Sequence, residues 1–199
     1  MTNERFNSDP QGPLDSSQGP LKSGPLRELL TWWVEARAGA RLPPRSAVDP
    51  LAFPHALPVV WLCDWDRTQR SGRLRLAGDD IERLYGRPLK GAWLEATAGE
   101  SEPERVLQIY RRVAEEPCLY RSRGHVYRIA HDLYGDGERL ILPLAEDGRT
   151  VSHLIGATVF RLTGTPIDPE ALPDTGHDAD VRESFAPPEA AEDWLRGGA

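Results

Sequence analysis

The sequence predicts a single domain of the α+β class, built from an antiparallel sheet and several short helices. The chain has 199 residues and 39% hydrophobic content, which suits one core with extensions rather than two domains. Five segments carry the alternation or the β-branched and aromatic content of strands. Helical patterns precede the first two of these segments and separate them from the last three. We therefore expect a five-stranded sheet preceded by an amphipathic helix.

The amphipathic helix is predicted to begin near Pro25 and to end at Gly39. Proline suits the first helical turn, and glycine suits the residue after the last turn. One apolar stripe runs along it at helical spacing, and its members are Leu26, Leu29, Leu30, Trp33 and Val34.

Two roles are open for this stripe. It could cover one edge of the core, or it could form a dimer interface together with the additional Trp32. A single sheet hardly buries two adjacent indoles, so we expect Trp32 to lie in a homodimer or partner interface while Trp33 packs on the sheet. The candidate interface residues are Leu26, Leu29 and Trp32.

The first two strands are predicted at residues 59–65 and 73–77, joined as a hairpin by a short polar segment. In the second strand two leucines alternate with two arginines, which gives one buried and one solvated face. A two-turn helix follows directly. Asp79 and Glu82 suit a capping box at its start, and Gly86 suits the left-handed position at its end.

A longer helix is predicted from Ser101 to the residue before Pro117, with a capping box at its start. Three strands follow, at residues 118–129, 138–145 and 151–162. The turns between them contain Asp-Gly, which is typical of hairpins.

Both ends of the chain differ in composition from the domain at residues 25–162. Residues 1–24 repeat the tripeptide GPL at uneven intervals among polar residues, so we interpret them as a disordered tail. Residues 163–199 contain nine acidic and two basic residues and are predicted to be mostly disordered. Within them, residues 187–196 form a candidate short helix that could dock elsewhere.

Charge and hydropathy exclude several classes of protein. The acidic tail carries the whole formal charge of −7, and the neutral domain has no general attraction for nucleic acid or an anionic membrane. No apolar run approaches the roughly 20 residues of a membrane helix, and no secretory signal is recognisable. Cys63 and Cys118 lack metal-ligand spacing and suit reduced core thiols. We expect a cytoplasmic protein.

The order of elements resembles that of PAS-type sensory domains, and more narrowly that of small stand-alone bacterial PAS proteins. The resemblance covers about residues 26–162. Three of its motifs are LPVVWLCDWD at 57–66, RLRLAGDDIERLYGRPLKG at 73–91 and LPLAEDG at 142–148. A fourth follows the first helix, and its residues are Trp33, Ala36, Arg37, Gly39, Pro43, Pro44, Arg45, Asp49 and Pro50.

The resemblance implies a cleft between the sheet and a lid of short helices, and short helices ended by glycine fit such a lid. The alternative is a solid core without a cavity. The candidate lining residues are Leu84, Tyr85 and Trp93 from the lid and Tyr127, Leu140, Leu142 and Ile155 from the strands.

The functional prediction is a non-enzymatic sensory or adaptor protein that acts through a protein signalling partner, with a small ligand in the cleft as an option. No catalytic signature, phosphate loop, metal or cofactor is predicted. One alternative is a small enzyme that uses His125 or His131 as a base. Another is an RNA-binding sheet, in which arginines 111, 112, 121, 123 and 128 alternate with tyrosines 110, 120 and 127.

Overall fold

The structure is a computed structural model that describes residues 20–97, 103–130, 133–163 and 181–196. Its strands are β1 (Val60–Asp66), β2 (Ser71–Ala77), β3 (Leu119–Ala130), β4 (Leu133–Leu144), β5 (His153–Thr163) and β6 (Arg182–Ala186). Its α-helices are α1 (Gly24–Ala36), α2 (Asp79–Tyr85), α3 (Pro103–Glu115) and α4 (Ala191–Leu195). Short 3-10 turns include Arg45–Ala47, Pro50–Ala52, Pro54–Val59, Leu94–Ala96 and Pro188–Ala190.

All six strands form one antiparallel sheet in the order β2-β1-β5-β4-β3-β6. The α+β class is therefore confirmed, and the five predicted strands occupy the first five positions in this order. The sixth strand pairs with β3 and was not predicted. Helices α2 and α3 lie over one face of the sheet, and α1 lies over the other. The prediction placed helices over one face only.

The sixth strand comes from the acidic tail. We expected residues 163–199 to be mostly disordered apart from a short helix at 187–196, and the strand β6 at Arg182–Ala186 departs from this expectation. Two apolar side chains account for the order, since Phe185 is 4% exposed and Trp194 is fully buried. The short helix expected at residues 187–196 is present and packs on α1. The remainder of this tail lies outside the described residues.

The chain is ordered before the predicted boundary at residue 25. Leu21 is buried and its N–H donates to the carbonyl of Trp194, 2.9 Å away. The N–H groups of Lys22 and Ser23 donate to the carboxylate of Glu138 at 3.1 and 3.0 Å. Both ends of the domain are thus tied to the sheet. Residues 1–19, assigned to the disordered tail, lie outside the described residues.

The expected interface on α1 is wrong, because its residues are buried within the chain. Leu26 and Leu29 are fully buried, and Trp32 is 5% exposed. The Trp32 ring lies 5.1 Å from the ring of Phe53, and its Nε1–H donates to the carbonyl of Ala47. The 3-10 segments after α1 fold back over the side of the helix that the sheet does not cover, so both indoles are buried.

Adjacent residues of β4 show how the two faces of the sheet differ. Glu138 points toward α1 and pairs with Arg121 at 2.5 Å. Arg139 points the opposite way and lies against Tyr127. Because side chains alternate along a strand, this pair fixes the direction of the other residues of β4.

Candidate functional site

The face of the sheet under α2 and α3 carries a cluster of aromatic rings. The ring of Tyr85, at the end of α2, meets the edge of Tyr127 with centroids 6.3 Å apart. Tyr127 in turn lies 5.1 Å from Phe160 of β5. On the same face, Trp61 of β1 lies 5.5 Å from Tyr110 of α3. These contacts form an aromatic cluster between the helices and the sheet, at the place where the cleft was predicted, and we call this site the tyrosine cleft.

Helix α2 places Tyr85 over the sheet because a glycine determines where the helix begins and another determines where it ends. Gly78 precedes it, and a side chain there would lie 2.3 Å from the carbonyl oxygens of Leu57 and Pro58. Gly86 ends the helix with a φ of 63°, as expected. The predicted capping box is absent, since the carboxylate of Glu82 instead accepts the N–H of Leu89.

Glycine also brings the floor of the cleft close to its aromatic residues. A side chain at Gly156 of β5 would lie 2.3 Å from the Trp61 ring. A side chain at Gly135 of β4 would lie 3.2 Å from both Phe160 and Tyr127. These rings therefore lie directly on the backbone of the sheet.

Arg139 is the charged side chain in the tyrosine cleft, and it is partly buried. Its guanidinium lies 4.8 Å from the centre of the Tyr127 ring, in a cation–π contact. Its Nε donates to Thr158 Oγ1 at 3.2 Å, and its Nη2 donates to the carbonyl of Val126 at 2.6 Å. Among the described residues it forms no ion pair with a carboxylate.

Burial sets the ionisation of the groups in the cleft. It raises the pKa of Tyr110 to about 12, and it raises the pKa of Tyr85 well above the usual value for a phenol. Burial opposes the charged form of Arg139, but the surrounding tyrosines outweigh it and the pKa of Arg139 is raised. At neutral pH Tyr85 and Tyr110 are therefore protonated phenols beside the permanently charged Arg139.

The sequence profile described as PAS domain matches residues 21–159, which is well over half of the chain. The chain belongs to the PAS domain family. No curated protein and no solved structure matches it. The tyrosine cleft therefore lies in a PAS domain, between the sheet and the helices that connect β2 to β3.

This PAS domain brings together only some of the predicted cleft residues. Tyr85 and Tyr127 meet as described, and Leu84 lies half-buried beside Tyr85 on α2. Trp93 is 37% exposed and pairs through its backbone with Arg73 at the edge of β2.

The assignment of Leu140, Leu142 and Ile155 to the cleft is wrong. Leu140 and Leu142 alternate with Arg139 and Ile141 along β4, so they face α1. Ile155 of β5 pairs with Leu142 and faces the same way. Both faces of this PAS sheet are covered by helices, so apolar content alone does not distinguish one face from the other.

Several residues of the cleft were not predicted. They are Trp61, Tyr110, Arg139, Thr158 and Phe160. The position of Arg139 in β4 is the sequence signal that could have identified it. It precedes the apolar run Leu140–Leu144, and it points to the same side of the strand as Gly135 and Gly137. Glycines in a strand mark places where another group packs closely on the backbone, and here they lie on the same side as Arg139.

Part of the arginine and tyrosine group proposed for RNA binding is buried. Tyr110 and Tyr120 are buried, and Arg121 is paired with Glu138 on the opposite face, so they offer no platform on which bases could stack. His153 contacts Asp64 at 3.3 Å. His131 lies outside the described residues. In the part of the chain that the structure describes, no three metal-binding side chains lie together.

A concave site lies on the opposite face of the PAS sheet, beside the 3-10 turns that follow α1. This site, which we call the leucine pocket, has a volume of about 320 Å³. Leu57 and Leu76 line it and are 38% and 39% exposed. Asp79, the first residue of α2, also lines it. The other apolar lining residues include Phe53, Val60, Leu62 and Ile155.

None of the helices in the described ranges combines the length and hydropathy that crossing a bilayer requires.

Proposed function

We propose that this PAS domain is a non-enzymatic, cytoplasmic sensory or adaptor protein. In this proposal a small molecule in the tyrosine cleft changes how the leucine pocket binds a protein signalling partner. Free, buried Cys63 and Cys118, whose pKa values burial raises to about 12, suit a reducing compartment.

Helix α2 carries this proposal, because it reaches both sites. Its first residue, Asp79, lines the leucine pocket, and its last residue, Tyr85, lies over the tyrosine cleft. Gly78 packs against the backbone of Leu57 and Pro58, which also line the pocket. A movement of α2 on ligand binding is therefore transmitted to the pocket wall, because closely packed backbone cannot absorb it.

The side chains of the tyrosine cleft favour binding over catalysis. A phenol whose pKa is raised by burial stays protonated at neutral pH, so Tyr110 is available as a hydrogen-bond donor and does not act as a general base. Tyr85 is likewise protonated and donates to the carbonyl of Thr97. An arginine remains protonated and is likewise a binding group rather than a base.

The leucine pocket has the character of a protein-binding surface. Partly exposed leucines rim an apolar hollow whose volume suits one or two large apolar side chains. Leu51, in the same segment, is 83% exposed. We propose that its occupant is an apolar side chain of a separate signalling protein. A homodimer would use a surface other than the buried stripe of α1.

Site-specific photo-crosslinking tests this function. A benzophenone amino acid is introduced at Leu76 in the cells from which the protein comes, and the irradiated adducts are identified by mass spectrometry. The matched control position is Gln108, which is exposed on α3 at the other side of the sheet. We expect a discrete adduct with one signalling protein at position 76 and none at position 108.

Two outcomes would contradict the proposal. The same adducts at both positions would mean that the leucine pocket has no selective partner. An adduct only with a second copy of the chain would assign the pocket to a homodimer and remove the adaptor role.

A further inference from the structure

Arg139 holds binding capacity that the described residues do not use. A guanidinium has five N–H donors. One of them bonds to Thr158 and one to Val126, so three make no hydrogen bond within the described part of the chain. The two existing bonds fix the plane of the group, and Tyr127 covers one side of it. The free donors are therefore held in one orientation.

Among the residues that the structure describes, no carboxylate balances the charge of Arg139. Arg121 has a carboxylate partner in Glu138 at 2.5 Å, and Arg70 has one in Glu115 at 2.7 Å. Arg37, like Arg139, is partly buried and has a carbonyl and an aromatic ring as its partners among the described residues. Arg139 has only neutral partners among the residues described, although it is less exposed than Arg70. A partly buried cation without a counter-ion is costly, and an anionic ligand would lower that cost.

The surroundings of Arg139 are flat and aromatic. Tyr127 and Tyr85 meet edge to face, and the Phe160 ring lies 5.1 Å from the Tyr127 ring. The hydroxyls of Tyr110 and Tyr127 make no hydrogen bond to any described residue. The cleft thus offers ring surfaces and phenol donors around one fixed guanidinium.

We propose that the tyrosine cleft binds a small aromatic carboxylic acid whose carboxylate pairs with Arg139. A carboxylate matches the fork of a guanidinium, and its single negative charge balances the single cation. The ring of the acid packs against Tyr85 and Tyr127. This ligand class rests on the sensory function proposed above, because it names the signal that the cleft receives.

Calorimetric titration of the full chain with benzoate tests the ligand class, with benzamide as the neutral analogue of nearly the same shape. We expect saturable binding of benzoate and at least about tenfold weaker binding of benzamide, because hydrogen bonds to a charged partner are the stronger ones. Phenyl phosphate is titrated as a third probe. Tighter binding of phenyl phosphate than of benzoate would overturn the assignment to carboxylic acids.

The variant Arg139→Met separates a binding role from a structural one. Methionine fills a similar volume without the charge, so we expect benzoate binding to fall at least about tenfold and the Tm without ligand to stay equal or rise. A Tm lower by more than about 10 °C would show that the guanidinium stabilises the sheet, and it would overturn the proposal. Undiminished benzoate binding would do the same.

The variant Arg139→Lys tests the proposal if Arg139→Met does not fold. Lysine keeps the charge but loses the fork, so we expect weaker benzoate binding with benzoate still preferred to benzamide. No benzoate binding by the wild type would overturn the ligand class, while a selective photo-adduct at Leu76 would leave the adaptor function standing.

Discussion

Replacing Glu138 with glutamine is expected to lower the free energy of unfolding by about 3 to 5 kcal/mol, because it leaves a buried guanidinium without its counter-ion. The Glu138 carboxylate accepts from Arg121 Nε at 2.9 Å and from Arg121 Nη2 at 2.5 Å. It also accepts the N–H groups of Lys22 and Ser23. Both side chains of the ion pair are buried, at 1% and 6% exposure. Urea unfolding followed by circular dichroism measures the effect.

The matched control is Glu115→Gln, which breaks the exposed pair with Arg70 and is expected to cost about 1 kcal/mol or less. The double variant Arg121→Met with Glu138→Gln should be more stable than Glu138→Gln alone, since the unpaired charge is gone. A Glu138→Gln variant as stable as Glu115→Gln would show that the buried pair does not hold the N-terminal segment to the sheet.

Trp33→Ala is expected to lower the free energy of unfolding by about 3 to 5 kcal/mol. The indole is fully buried between α1 and the sheet, and its Nε1–H donates to the carbonyl of Pro143 at 2.9 Å. The truncation leaves both a cavity and a buried carbonyl without its donor. Thermal and urea unfolding measure the loss.

Trp93→Ala is the matched control, because it removes the same side chain from a position that is 37% exposed. Its expected cost is below about 1 kcal/mol. Trp32→Ala should resemble Trp33→Ala rather than Trp93→Ala, since Trp32 is buried against Phe53. Equal effects at positions 33 and 93 would contradict the packing of α1 on the sheet.

Local features of the fold were predictable from the sequence. Proline at the start of α1 and Gly86 at the end of α2 define helix ends through backbone conformation, which depends on neighbouring residues only. Strand β6 was not predictable in the same way. The acidic composition of this segment indicates disorder, and its two apolar side chains are ordered only by contacts with residues far away in the sequence. Those contacts are Phe185 on Tyr120 and Trp194 beside Leu21.

The cleft was harder to predict. Alternation along a strand divides its residues into two sets, but it does not say which set faces which layer of helices. Leu140 and Ile141 are equally apolar, and both faces of the sheet are covered, so burial gives no preference. The prediction that Trp32 lies in an interface was wrong for a related reason. Helical periodicity shows that a second indole must be buried by some other part of the chain. It does not show which part, because the 3-10 segment that buries Trp32 follows loops whose course helical periodicity does not predict.

The yield of the photo-adduct at Leu76 in an Arg139→Met background tests the coupling between the two sites most directly. The control is Arg123→Met, which changes an exposed arginine of the same sheet. If the tyrosine cleft controls the leucine pocket through α2, the yield should change about fivefold or more in Arg139→Met and stay at the wild-type level in Arg123→Met. Equal yields in the wild type and both variants would contradict a sensory role for the cleft.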